Sequence, residues 1–370
     1  MRTTVLRFII KFAIMAVMLL GLPLFGIFLA GYPMARYLEF PPESRYVQHA
    51  PFSWTVFAAY TIFILAVAVP LIITAVRAFR SSETRVSAAA TFPWWGWLGL
   101  VCGLISWLLA WTRFDWFASL QPHTFPPLWI SYILVVNGLS YRQAGHCMLT
   151  ARPGFFLLLF PSSAVFWWFF EYLNRFVQNW YYEGVRFSPS EYFWYATLSF
   201  STVLPAVLGT RDLLLRADWL QVGFKDLLSL KWPRLYLLGW ISLLFASLGL
   251  AGIGVLPNLL FPLLWISPLL IIVSLQILMN EHHILLDVSR GDWRLVMACA
   301  AAAIICGWFW EMWNYFSLAR WIYSIPFVHR FQIFEMPILG YAGYLPFGLE
   351  CAVIGTMLER LNPAWSRLVT

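Results

Sequence analysis

The chain reads as an all-α, polytopic transmembrane helix bundle of about ten spans, with two parallel four-helix repeats behind two N-terminal helices and both termini cytoplasmic. Three observations predict this: the composition, the placing of apolar runs between basic gaps, and a motif set that occurs twice. Of 370 residues, 61% are apolar and 11% charged, which leaves too little polar surface to clothe a water-soluble globule.

Apolar windows of roughly 20 residues, the length that crosses a hydrocarbon core, fall near 11–31, 53–76, 94–112, 125–141, 154–173, 191–209, 235–255, 258–279, 295–315 and 337–357. The first follows Arg2, Arg7 and Lys11, is long enough to span and shows no small-residue cleavage site, so it reads as a helix rather than a signal peptide. Arg77, Arg80 and Arg85 follow the second window, and Arg142 and Arg152 the fourth. Arg211, Arg216, Lys225, Lys231 and Arg234 follow the sixth, Arg290 and Arg294 the eighth, and Arg360 and Arg367 close the chain. Every even gap is basic, which places those gaps and both termini in the cytoplasm. The net charge of +7 reports that orientation, and with no dense Lys/Arg run or recognition module it does not indicate nucleic acid. Without a cleaved presequence, a bacterial plasma (inner) membrane is the expected location.

The odd gaps hold Trp180, Tyr181, Tyr182, Trp321 and Tyr323 in segments too long for simple turns. They are expected to be interfacial helices or re-entrant elements at headgroup depth. Five cysteines, Cys102, Cys147, Cys299, Cys306 and Cys351, lie mostly in apolar runs without CxxC or Cys/His pairing and read as small buried hydrophobes.

The repeat is the strongest signal. Phe125-Pro126-Pro127-Leu128-Trp129-Ile130-Ser131 recurs as Phe261-Pro262-Leu263-Leu264-Trp265-Ile266-Ser267, six of seven positions identical. Glu171-x-x-Asn174 followed by Trp180-x-Tyr182 recurs as Glu311-x-x-Asn314 followed by Trp321-x-Tyr323, and Ala206 to Thr210 is echoed by Ala352 to Thr356. These matches divide the chain into two N-terminal helices (1–90), a first repeat (91–225) and a second (226–370). An even number of spans per copy makes the copies parallel, related by a pseudo-twofold axis along the membrane normal.

A carboxylate in hydrocarbon costs several kcal/mol unless paired, protonated or hydrated, so Glu171, Glu311 and Glu350 require a partner or a purpose. One reading is structural, each bonded to its Asn or to Arg175 or Arg320. In the other, burial keeps a carboxyl protonated as an acid. The second copy is richer: Trp308, Trp310 and Trp313 surround Glu311, and Glu335, Tyr341, Tyr344 and Glu350 follow in a Gly- and Pro-dense run. Interrupted backbone at that depth is tolerated where it lines a cavity or packs on protein, which makes the last span a candidate wall of a site. Glu281, His282, His283, Asp287 and Asp292 lack metal-ligand spacing and read as a solvated cytoplasmic loop. There is no GxSxG, Walker loop, GxGxxG or DDxxD motif, and no cofactor is indicated.

The run Trp321 to Glu350, with W-x-Y, glycines and Leu345-Pro346 ahead of a carboxylate, resembles the duplicated membrane domains of the heterodimeric or fused lycopene cyclases. It departs from them in having Glu350 four residues past Pro346 and no paired Glu-Glu. The W-E-x-W-N and F-E-M-P-x-x-G-Y-x-G-Y patterns are also similar to those of a bacterial integral membrane protein family, a likeness that implies no activity.

Three functions follow. The first is acid-catalysed cyclisation or isomerisation of an isoprenoid or other lipid, with Glu311 or Glu350 as acid and Glu335 beside them. Asn314 would orient the acid, and Trp310, Trp313, Trp321, Tyr323, Tyr341 and Tyr344 would line the pocket, with Glu171, Asn174 and Trp180 as the first copy's equivalents. The second is a proton- or cation-coupled carrier or flippase that uses both Glu171 and Glu311. The third is a non-catalytic subunit that docks membrane lipids or a membrane protein partner.

Overall fold

The computed structural model describes residues 2–42, 44–82 and 89–362. Arg85 and Arg367 lie outside the described residues, as do the side chains of Arg2 and Arg7. Helix accounts for 71% of the chain, so the all-helical expectation meets only a few short strands.

In chain order the helices are α1 (Arg2–Leu29), α2 (Ala35–Leu38), α3 (Trp54–Ser81), α4 (Trp94–Trp111), α5 (Phe125–Ala144), α6 (Met148–Ala151), α7 (Pro153–Val177) and α8 (Pro189–Phe200). They continue as α9 (Val203–Leu214), α10 (Asp218–Phe224), α11 (Leu235–Gly252), α12 (Pro257–Leu260), α13 (Leu263–Leu278), α14 (Ile284–Ser289), α15 (Arg294–Tyr315) and α16 (Tyr344–Glu359). The strands are β1 (Trp180–Glu183), β2 (Arg320–Tyr323), β3 (Gln332–Ile333) and β4 (Met336–Pro337).

Among the described residues, seven helical segments are long and apolar enough to cross a membrane: Ile10–Leu29, Trp54–Ser81, Trp94–Trp111, Pro153–Val177, Leu235–Gly252, Arg294–Tyr315 and Ile338–Glu359. Seven of the expected windows fall on these. The other three fall on helix of a different kind. The window 125–141 is α5, whose buried Ser131, Asn137 and Ser140 face protein. The window 258–279 divides into α12 and a 16-residue α13, which at ~1.5 Å per residue is short of a ~30 Å core. The window 191–209 is broken between α8 and α9, and Pro189–Leu214 meets α10 at a bend of 75°. Pro205 has no N–H to continue the ladder across that break. Ser163 on α7 serves the loosened backbone instead, donating to the Phe200 carbonyl at 2.6 Å and accepting from Leu204 N at 2.9 Å.

The core is built from α5, α7, α9, α13, α15 and α16, with Trp129, Phe155, Phe170 and Phe347 fully buried. The Gly348 backbone on α16 lies so close to the Cys299 carbonyl on α15 that a Cβ there would stand 2.1 Å from it. Outside the core, α1 packs on α11 and α13, while α3 packs on α10 and on the 338–343 turn. One end of the bundle is tied by ion pairs: Arg152 bridges Asp212 at 3.2 Å and Glu359 at 2.7 Å, and Lys11 and Arg360 meet Glu281 at 2.8 and 3.5 Å. The loop expected to be solvated is thus partly built in, and His283 is buried (5% exposed).

At the opposite end the expected interfacial helices are absent among the described residues. The segments after α7 and α15 form an antiparallel β1–β2 ribbon, with Trp180 opposite Tyr323 and Tyr182 opposite Trp321. The Trp-Tyr-Tyr and Arg-Trp-Ile-Tyr stretches favour strand once they have a partner, since aromatic and β-branched side chains pack well on a pleated surface.

Candidate functional site

Period-two geometry puts Trp180, Tyr182, Trp321 and Tyr323 on one face of the ribbon. That face turns toward two buried glutamates. Glu171 Oε1 accepts from Tyr182 OH at 2.6 Å, Trp180 Nε1 at 3.0 Å and Trp167 Nε1 at 3.2 Å. Glu311 Oε1 accepts from Tyr344 OH at 2.6 Å and Tyr323 OH at 2.8 Å, and Trp321 Nε1 donates in turn to Tyr323 OH at 2.9 Å. The two glutamates are 2% and 0% exposed, and Oε2 of each has no hydrogen-bond partner among the described residues. Burial, and then the carboxylate beside each, hold the Tyr182 and Tyr323 phenols well above their ordinary range, so both are protonated in the resting site.

The asparagines have a different task from the one expected. Asn314 makes no hydrogen bond to Glu311 among the described residues; its Nδ2 donates to the Trp321 carbonyl at 2.7 Å and its Oδ1 accepts from Trp321 N at 2.8 Å. Asn174 likewise donates to the Trp180 carbonyl at 2.8 Å and accepts from Asn179 N at 2.7 Å and Trp180 N at 3.4 Å. Each amide fixes the strand that presents the indole and phenol, so it bears on the glutamate through the strand. The described contacts of Arg175 and Arg320 lie elsewhere. Arg175 donates to the Glu39 carbonyl, and Arg320 meets Glu335 at 3.3 Å and Glu183 at 4.0 Å. Burial raises Glu335 above the usual carboxylate range, with Arg320 opposing it.

A cavity of about 1190 Å³ lies behind the ribbon, above the ~300–1,000 Å³ typical of small-ligand pockets. Of the expected site residues, Trp180, Trp310, Trp321, Tyr323 and Tyr344 line it. Glu171, Asn174, Glu311, Trp313, Asn314, Glu335, Tyr341 and Glu350 do not. Glu350 faces α13, where it accepts from Leu269 N at 3.0 Å just past Pro268. Trp313 packs against Trp129 at 5.2 Å between ring centroids, and Tyr341 OH donates to the Ile333 carbonyl at 3.1 Å. The lining is drawn from both 91–225 and 226–370 and is not concentrated in the second stretch.

Sequence reasoning missed Trp167, Tyr182 and Trp265 as lining residues. Trp167 stands four residues before Glu171 on the same helix face, a spacing that was readable. Trp265 packs on Phe170 at 5.2 Å, while its motif partner Trp129 packs on Trp310 at 4.9 Å, so each motif tryptophan rests on the glutamate-bearing helix of the other stretch. Arg45 and Arg186, which also border the cavity, carried no local signal.

The fold is mostly helical, with several apolar helices compatible with a multi-pass membrane protein, and the site is a large aromatic cavity on which the Tyr323 and Tyr344 hydroxyls reach the buried Glu311 carboxyl. No family model, curated protein or solved structure matches the chain.

Proposed function

We propose that the protein takes an isoprenoid or another lipid into this cavity, near the outer face of a bacterial inner membrane, and that Glu311 supplies a proton there through Tyr344 or Tyr323. One observation carries the reading: the cavity wall is aromatic, and the hydroxyls on it lead directly to a carboxyl that is otherwise sealed in. A proton passed from Tyr344 or Tyr323 to an alkene, and restored to the phenol by Glu311, leaves a cation against the indole faces of Trp310 and Trp265. Loss of a neighbouring C–H proton back to the same relay completes an isomerisation or cyclisation without any co-reactant. Glu335 and Glu350 lie off this path, and their parts are positional.

The proposal keeps the topology read from charge, with about ten membrane-embedded segments, both termini cytoplasmic and the ribbon outside. It also keeps a duplication of residues 91–225 and 226–370. Supporting that, the ribbon register is reciprocal, Trp180 opposite Tyr323 and Tyr182 opposite Trp321, as a twofold axis through its centre requires. The crossed packing of Trp129 and Trp265 obeys the same axis. This matching favours a second reading, a proton- or cation-coupled carrier or flippase that uses both Glu171 and Glu311. The size of the aromatic cavity weighs against a purely docking subunit.

Mass spectrometry of lipids co-purifying with wild type, Glu311→Gln, Glu171→Gln and Tyr344→Phe tests these readings. An isoprenoid product in wild type and in Glu171→Gln, replaced by its precursor in the other two, supports the enzyme. The same bound lipid in all four, with transport lost in both glutamate variants, supports the carrier. Identical bulk phospholipids throughout sink the specific site.

A further inference from the structure

Two helices meet the cavity with one face each. Tyr60, Phe63, Ile64 and Val67 of α3 line it. So do Tyr192, Tyr195, Ala196 and Ser199 of α8. Both sets follow the i, i+3, i+4, i+7 spacing of a single helix face. The packing of these helices on the rest of the bundle lies elsewhere. α3 rests on α10, where a Cβ on Gly223 would stand 2.6 Å from the Ala78 Cβ, and on the 338–343 turn, while α8 rests on α7 and α5. Phe63, Val67 and Tyr195 form cavity wall and are nonetheless 69%, 51% and 39% exposed, so little protein covers them on either side. The flanks suit hydrocarbon: Ile62 and Leu65 of α3 and Trp194 and Leu198 of α8 are exposed, and no charged residue occurs in α3 before Arg77 or in α8 after Glu191.

We infer that the slot between α3 and α8 is a side door through which the hydrocarbon chain of a bilayer lipid enters the cavity, and that the bound chain lies between the two faces. A chain in the slot supplies the wall residues with the dispersion contacts that a packed neighbour would otherwise give. It also passes the apolar flanks without shedding water from any polar group, whereas a charged molecule would pay several kcal/mol on the same path. The lining continues inward to Trp265 and Trp310, so one chain reaches from the slot to the indoles. The ligand is then a molecule resident in the membrane, taken up without passing through water. The inference rests on the lipid-binding reading above and adds the route by which the lipid arrives.

The test ties the door shut and opens it again in the same molecule. Val67→Cys and Ser199→Cys are placed on the two faces in full-length protein carrying Cys102→Ser, which leaves only the four buried native cysteines. The protein is reconstituted in phosphatidylglycerol vesicles, and the two positions are joined by a bis-maleimide linker with a reducible disulfide. The probes are diazirine analogues of farnesol and of phosphatidylethanolamine, with the photoreactive group in the chain, and their adducts are mapped by peptide mass spectrometry. Adducts at Trp265 and Trp310 are expected without the linker, should be lost when it is closed and should return when it is reduced, while adducts at the exposed Leu104 of α4 stay unchanged throughout. A probe loaded before closure should be trapped and resist exchange into probe-free vesicles. Entry of the farnesol analogue alone supports the door and assigns the chain to the isoprenoid class, and entry of the phospholipid analogue supports it for acyl chains. Cavity adducts that persist with the linker closed overturn the route but leave the lipid-binding reading intact. Escape of a preloaded probe on closure overturns it as well, because the linker then only fills space. If linkers of increasing reach never join the two cysteines, the helices do not face each other and the inference falls. Adducts at Leu104 without any at Trp265 or Trp310 in the unlinked protein bring down the lipid-binding reading itself.

Discussion

The Tyr344 ring occupies the space a side chain at Gly307 would need: a Cβ there would stand 2.4, 2.5 and 2.7 Å from three of its ring carbons. Gly307 is one helical turn before Glu311 on α15, so its lack of a side chain is what lets the phenol lie flat against the helix and reach the carboxyl.

Gly307→Ala is therefore expected to push Tyr344 off Glu311 and to cost roughly 1–3 kcal/mol, the range for overpacking a close-packed site. Tyr344→Phe removes only the hydrogen bond. The two should be strongly non-additive, since both break the same contact. Thermal unfolding of the two single variants and the double variant in detergent measures this, and simple additivity would mean that the ring is not held where it is described.

Asn314→Ala leaves the Trp321 N–H and carbonyl without the amide that satisfies them, at a cost of about 1–3 kcal/mol. Because β2 pairs with β1, backbone amides in 180–183 should gain hydrogen exchange along with those in 320–323. Exchange confined to one strand would argue against the ribbon. Asn174→Ala should give the same pattern from the other side.

How much of this was legible differs between elements for physical reasons. Long apolar helices such as α3 and α11 announce themselves because much of their surface is both apolar and exposed. By contrast, α5 and α13 are sheltered by neighbours, so α5 can carry buried polar groups and α13 can be short. The ribbon was not legible, because a four-residue strand has no periodicity of its own and exists only through its partner some 140 residues away in the chain. Glu171, Glu311 and both asparagines stood out as polar residues in apolar surroundings, but spacing alone did not tell that the amides bind strand backbone. Cavity residues such as Arg45 and Tyr60 come from connections and helices far from either motif, so only the assembled fold brings them in.

Glu350→Gln retains an acceptor for Leu269 N–H and should unfold within about 0.5 kcal/mol of wild type, whereas Glu350→Leu leaves that buried donor open and should cost about 1–3 kcal/mol. Equal losses would show that the carboxyl contributes more to stability than this one bond.

Acid should loosen the opposite end through His283, whose imidazole is pushed below its ordinary range by burial and then by neighbouring His282, with Asp287 opposing. A base whose folded pKa is depressed stabilises fully above its unfolded value of about 6.5, and that stability is lost as pH falls through the folded value. Unfolding temperature followed from pH 7.5 downward should drop below about pH 6.5, and His283→Gln should flatten the decline.

The asparagine amides have one more consequence. In an antiparallel pair, the N–H and carbonyl of a given residue point to the same side. Those of Trp180 and Trp321 point away from the partner strand and are taken by Asn174 and Asn314. A two-stranded sheet normally offers two open edges on which another chain can template itself. Here a side chain stands in for the missing neighbour at each edge, so a protein that binds this cap has to recognise its surface, because strand addition at those positions is already blocked.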